Sequence, residues 1–346
     1  MRVAFITNQL GLRGTEVALA AYAHHARDLW GWDVWFVVRH AREDAPRNGD
    51  CTPQSIAHYE SQFDVVYSGC DAATDAWLEA NVDVAVVELY GTPDGWLPSR
   101  VKTVAHCVFV ATHPLPCTVH TAVSESVARG APGVHVLPNI ADAPEPDGDL
   151  RSALGIPPDA VVFGRHGGLD TFDIPWVHGV VQRVAAEHPH IVFIFLNTRR
   201  FCDLPNVLHL DATTCPMHKA RFVATCDAML HARDIGETFG LAVAEFALQR
   251  KPVITHATAR DTEHLRLLGD EATPYRDAHE LRRTLTTFRP RRTGPTGYDA
   301  YRPEAVMPLF RTLVEMALHG QSPVTSGARA NLSSPSPATL YRMTRG

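Results

Sequence analysis

Lysine is nearly missing from this chain: it stands only at positions 102, 219 and 251, and arginine supplies the rest of the 32 basic residues. The 38 acidic residues leave a formal net charge of −6, with a pI near 6.3. That balance gives no support to a nucleic-acid-binding surface. The 7 cysteines contain no Cys-x-x-Cys pair, so neither a disulfide framework nor a zinc site is indicated. No apolar run approaches the ~18 residues of a membrane span, and no secretory leader is visible. A cytoplasmic protein without a transmembrane segment is therefore expected. Gly-x-Gly-x-x-Gly is also absent, which disfavours a nicotinamide dehydrogenase.

What is present is ordinary for a globular protein: 45% hydrophobic and 20% charged residues over 346 positions. That length accommodates two domains with full cores. Short apolar runs alternate with helical patterns from the first residues on. Val3–Thr7, Val34–Val38, Val65–Ser68, Val84–Val87 and Val101–His106 read as strands, with helices over 17–30 and 53–61. Such alternation predicts an α/β protein with mostly parallel sheets. The segment Asp142–Asp149 is polar and rich in proline, and reads as a linker. Its Asp147-Gly148-Asp149 has the form of a metal-binding Asp-x-Asp, but no apolar strand feeds it. Beyond it the rhythm restarts with strands at Val161–Arg165, Ile191–Leu196, Val207–Leu210 and Val253–Thr255, and a last helix over 303–318. The tail after it is rich in Ser, Pro, Gly and Ala and is expected to be disordered.

The stretch richest in chemistry runs from His231 to Glu245. Ala228-Met229-Leu230 enters it as a buried strand, and Leu241, Val243, Ala244, Ala247 and Leu248 follow with the spacing of a helix face. Glu237 is expected in the loop before that helix, and Glu245 about two turns into it. Backbone amides around Thr238, Phe239, Gly240 and Leu241, together with the positive helix end, suit a diphosphate. Gly240 allows close approach because it lacks a Cβ. The two carboxylates can accept hydrogen bonds from vicinal hydroxyls, each contributing roughly 1.5–3 kcal/mol. The alternative is a capping Glu237 and a solvated Glu245 on an ordinary helix.

Gly236-Glu237-Thr238-Phe239-Gly240-Leu241, then Glu245, then Lys251-Pro252-Val253-Ile254, resembles the donor-site signature of family 4 glycosyltransferases. The resemblance covers roughly residues 2–318 and is strongest over 165–255. It implies the GT-B fold: two Rossmann-like domains facing a cleft, over 1–143 and 144–299. A terminal helix over 300–318 would return to the first domain, followed by a tail over 319–346. It further implies a retaining, hexosyl-type transferase that takes a nucleotide-sugar donor, needs no cofactor and no metal, and passes the sugar to a small-molecule, glycan or protein acceptor. By resemblance Glu237 approaches the donor sugar, Glu245 holds the ribose, and Arg165 clamps the diphosphate with its planar fork. Gly11 and Gly14, with Glu16, resemble the glycine loop that faces the donor from the other domain. His106, ending a strand, resembles a histidine near the donor sugar, and equally suits a structural role. The family's lysine shortly after Arg165 is missing; Arg233 is the candidate to replace its charge, unless it pairs with Asp234. A sugar-nucleotide hydrolase or epimerase of the same fold, or a non-catalytic nucleotide-sugar-binding protein, are the alternatives.

Overall fold

In the computed structural model, which describes residues 1–39, 51–92 and 96–320, runs that are apolar at every position form strands covered on both faces. The described chain divides into two compact units, residues up to 140 together with 300–320, and residues 141–299. The tail expected to be disordered lies, from residue 321, outside the described residues.

The first unit holds a parallel sheet of β1 (Arg2–Thr7), β2 (Asp33–Val38), β3 (Asp64–Tyr67), β4 (Val84–Leu89), β5 (Lys102–Cys107), β6 (Val119–Ala122) and β7 (Val134–Val136). Their spatial order is β3-β2-β1-β4-β5-β6-β7. The chain winds outward from β1 to β3, then returns to start again at β4 on β1's other side. The strand ends at β1 and β4 therefore flank a topological switch point, where open sheets of this kind leave a crevice for ligands. Helix α1 (Gly14–Trp30) opens directly after β1, followed in the chain by α2 (Pro53–Glu60), α3 (Asp71–Asn81) and α4 (Glu125–Ala128).

The second unit repeats the plan. Its sheet orders β8 (Val161–His166), β9 (Ile191–Leu196), β10 (Val207–Leu210), β11 (Ala228–His231), β13 (Val253–His256) and β15 (Ala272–Tyr275) as β10-β9-β8-β11-β13-β15, all pairs parallel. Here the switch point lies between β8 and β11. Strand β9, Ile-Val-Phe-Ile-Phe-Leu, is buried at every residue, as a central parallel strand requires. Two short strands, β12 (Gly236–Glu237) and β14 (Asp261–Thr262), pair with each other outside the main sheet. Helices α5 (Pro175–Glu187), α6 (Pro216–Thr225), α7 (Leu241–Leu248), α8 (Glu263–Leu268) and α9 (Ala278–Thr287) cover the sheet.

The last helix, α10 (Pro303–His319), belongs to the first unit. Its buried face, Val306, Met307, Phe310, Leu313, Val314 and Ala317, recurs every three to four residues. Phe310 stacks on Tyr22 of α1 at 4.8 Å between ring centroids, which locks α10 into the core of that unit. Among the described residues no helix is long and apolar enough to cross a membrane.

Candidate functional site

The β8/β11 crevice gathers the chemistry that the sequence displays around residue 237. Each bounding strand ends in a histidine: His166 on β8 and His231 on β11. After β11 the chain turns through Arg233 and enters β12, so Glu237 is a strand residue and not a loop residue. The turn depends on Gly236, at φ +75°, where a Cβ would fall 1.9 Å from the Asp261 carbonyl oxygen. Parallel pairing of Gly236 with Asp261 and Glu237 with Thr262 fixes the backbone of Glu237.

The side chain of Glu237 is held from two sides. Arg233 Nη1 donates to Oε2 at 2.7 Å, and His231 Nε2 lies 3.3 Å from Oε1. Burial opposes the charge, but the Arg233 guanidinium and His231 outweigh it and bring the carboxyl down to about 2. Behind it a polar chain continues: His231 Nδ1 meets Thr255 Oγ1 at 2.8 Å, and Thr255 Oγ1 meets His264 Nε2 at 3.0 Å. Arg233 thus pairs with Glu237. Glu237 does not cap the helix either. The N-cap of α7 is Gly240, at φ +86°, with no side chain bonded to the first-turn amides. A Cβ on Gly240 would come within 3.2 Å of the Glu237 stem, so glycine serves both the left-handed turn and the glutamate's place.

Phe239 is 2% exposed and packs edge-on against Tyr298, whose hydroxyl donates to the Phe239 carbonyl at 2.5 Å. Its side chain anchors the turn in the core, and Thr238 is buried beside it. Leu241 opens α7 with a partly exposed side chain. The first-turn amides of α7 have no intrahelical acceptor, which leaves the helix N-terminus electropositive.

Glu245 is not solvated. It is 8% exposed and receives Lys219 Nζ from α6 at 2.6 Å on Oε1. His166 Nε2 stands 2.9 Å from Oε2, but out of line for a hydrogen bond, so both atoms are buried without one. Burial again opposes ionisation, and Lys219 and His166 overcome it to bring Glu245 to about 2. Both glutamates of the pair are therefore carboxylates at neutral pH.

Arg165 ends β8 beside His166 and is 3% exposed. Its Nη1 donates to the Asn197 carbonyl at 3.1 Å and to Thr198 Oγ1; Nη2 donates to the Gly168 carbonyl at 2.9 Å and to Thr171 Oγ1. The fork is directed at its own protein: it ties the loop after β8 to the end of β9. Gly167, at φ +151°, lies against it, where a Cβ would meet Nη2 at 2.9 Å.

The remaining expected residues belong to the first unit. His106 on β5 is 1% exposed, with Nδ1 2.9 Å from Thr121 Oγ1 and Tyr22 edge-on to its ring. Burial lowers it to about 4, so it is neutral. The Gly11 carbonyl accepts from Tyr59 OH at 3.1 Å, and Gly14 is the first residue of α1. Lys219, His166 and His231 were not singled out by sequence. The last two had a readable signal, since each ends a strand at the switch point. Lys219 had none, since it reaches the site from a helix of its own.

No protein-family model and no curated protein matches this sequence. Solved structures do. The Anabaena protein HepE, in complex with UDP and glucose, matches with a TM-score of 0.59 at 16% identity over 83% of this chain and 89% of its own. AviGT4, a glycosyltransferase involved in avilamycin A biosynthesis, matches at 0.57 and 15% identity, over 93% and 99%. The fold is GT-B. A putative UDP-N-acetylglucosamine 2-epimerase from Listeria monocytogenes also matches, at 0.54 and 9% identity over 94% and 99%. The likeness is thus one of architecture, shared by transferases and an epimerase.

Proposed function

We propose that this chain is a glycosyltransferase that moves a sugar from a nucleoside-diphosphate donor to an acceptor with retention of configuration, as a family 4 enzyme does. The observation that carries the reading is the frame around α7. Two ionised carboxylates, Glu237 and Glu245, flank an electropositive helix N-terminus at a switch-point crevice, each held by a cation and a histidine. In this reading the diphosphate lies at the first turn of α7, Glu245 accepts from the ribose hydroxyls and Glu237 from the sugar. Glu245 Oε2, buried without a hydrogen bond, is the acceptor atom for the ribose.

Retention follows a front-face route in which the departing phosphate takes the acceptor's proton, so the protein's task is to stabilise the leaving diphosphate. Arg233 and Lys219, released in part from their carboxylates by the incoming donor, supply positive charge at the two ends of the frame. Arg165 serves by holding the loop 166–171, whose glycines border the crevice. His106, Gly11 and Gly14 are carried by the first unit, and they enter this reading only through the family resemblance. No metal takes part in the chemistry.

The test is calorimetry with UDP and other nucleoside diphosphates. Wild type should bind at least one of them, and Glu245→Ala should weaken it by about tenfold or more, roughly 1.4 kcal/mol. Unchanged affinity in the variant removes Glu245 from the ribose. The epimerase likeness motivates one rival reading, a sugar-nucleotide epimerase or hydrolase on the same frame. Turnover of the donor without any acceptor, to an epimer or a free sugar, would favour that reading over transfer.

A further inference from the structure

The switch-point crevice of the first unit carries a second, different set of groups. Where β1 and β4 end, the segment Asn8–Gln9, the start of α1 and Arg39 enclose a cavity of about 330 Å3. Glu16, from the first turn of α1, and Glu88, from the end of β4, both line it. Glu16 is 5% exposed and accepts from Thr15 Oγ1 at 2.6 Å. Glu88 makes no ion pair among the described residues, and its Oε2 is shut off from solvent with no hydrogen-bond donor.

The cavity's own cation answers to another acid. Arg39 pairs with Asp71 at 3.1 Å and lies over the Trp96 ring at 4.4 Å. Glu16 has Thr15 and Gln9 as donors and the Arg13 charge nearby, so among the described residues Glu88 is the acid left at this crevice with neither donor nor cation. Burial raises both carboxyls, and the charge of Glu16 raises Glu88 further. A buried carboxyl without donor or cation is unfavourable in either protonation state, because its lone pairs have lost water and gained nothing. In the second unit the opposite holds: each crevice glutamate has its own built-in cation. The contrast indicates that the missing partner of Glu88 is a ligand.

We propose that this cavity binds the ammonium group of an amino sugar or a related amino polyol, with Glu88 and Glu16 as its counter-charges. An ammonium group offers three donors and a full positive charge, so it satisfies both acids at once, which a neutral hydroxyl does not. The volume stands at the lower end of small-molecule pockets and suits one ring, not an oligosaccharide. Thr7, Asn8 and Thr15 add polar atoms along the wall for ring hydroxyls. Naming this ligand as the acceptor rests on the glycosyltransferase reading; its binding does not.

The experiment is a saturation-transfer NMR titration of the full chain with glucosamine, N-acetylglucosamine and glucose at pH 7. Glucosamine should bind at least about tenfold more tightly than the two uncharged sugars. Glu88→Gln should erase that preference while melting near wild type; if it does not fold, Glu16→Gln takes its place and should erase it too. Equal affinity for the three sugars, or a preference that survives in the folded variant, overturns the proposal. A parallel titration of wild type with UDP and the other nucleoside diphosphates separates the two readings. Amine selectivity without binding of any nucleoside diphosphate leaves this site standing and sinks the transferase, and nucleoside diphosphate binding without amine selectivity does the reverse.

Discussion

Glu237 illustrates how one residue acquires a role that its position in the sequence does not announce. Three residues ahead of a helix N-cap, it has the look of a cap, yet its carboxylate turns to Arg233 and His231. Glu237→Gln therefore removes no cap. The amide keeps an oxygen for Arg233 but not the charge, so the variant should melt several degrees below wild type while still binding nucleoside diphosphate normally. If the carboxylate contacts the sugar in the transition state, transfer should fall at least tenfold, roughly 1.4 kcal/mol. A normal rate with a markedly lower melting temperature would make Glu237 purely structural. Arg165 calls for a different pattern. Its fork bonds the carbonyls of Asn197 and Gly168; Gly168 keeps Thr171 as a donor, but the part-buried Asn197 carbonyl loses its own, at a cost of about 1 kcal/mol. Arg165→Lys should accordingly lower both melting temperature and turnover. A loss of turnover alone would return the fork to the diphosphate; wild-type behaviour in both would show that its planar geometry is not used.

Among elements, the strands and helices were legible wherever a contiguous run carries the information. The sequence reading of Ile191–Leu196 as a strand matches β9 residue for residue, and the run after Gly240 forms α7. Legibility ends where a partner comes from elsewhere in the chain. β12 is two residues long, too short for any periodicity, and exists because Asp261 and Thr262 lie beside it. Lys219 and Glu245 are 26 residues apart on different helices, and only the packing of α6 near β8 and α7 joins them. Two acids for which a capping and a solvated role stood as the alternative to ligand contacts prove to be the centres of two ion-pair clusters. Gly236 gives the short strand a direct test. Alanine there must adopt φ +75° and clears no space against the Asp261 carbonyl, so Gly236→Ala should unpair β12 from β14 and cost about 2 kcal/mol or more. Because Glu237 rides on that strand, transfer should fall with it. Unaltered denaturation midpoint and unaltered rate would show that the pairing is not needed.

For the whole molecule, the histidines set the response to acid. Among the described residues, His24, His58, His106, His120, His135, His166, His209, His256 and His264 are all lowered, in each case first by burial. A folded value below the unfolded one means that the unfolded chain binds the proton first. The stability such a group contributes is complete above pH 6.5 and is lost as pH falls through that value towards the folded one. His106, lowered to about 4 and almost wholly enclosed, contributes about 3 kcal/mol over that window. Glu237 and Glu245, held near 2, add a second loss below pH 4.5 with the same sign. Glu16 and Glu88 are raised and act oppositely: they take up protons above the ordinary carboxylate range, so acid relieves their burial and offsets part of the loss, but they are two groups against the nine histidines. Between pH 7 and 5 the histidines therefore dominate, and calorimetric melting temperature should drop by about 6 °C or more. His106→Gln, which removes one titrating ring from the core of the first unit, should melt lower than wild type at pH 7 and lose less on acidification. A wild-type melting temperature that is flat from pH 7 to 5, or a variant with the same pH slope as wild type, would show that the buried imidazoles are not what acid attacks.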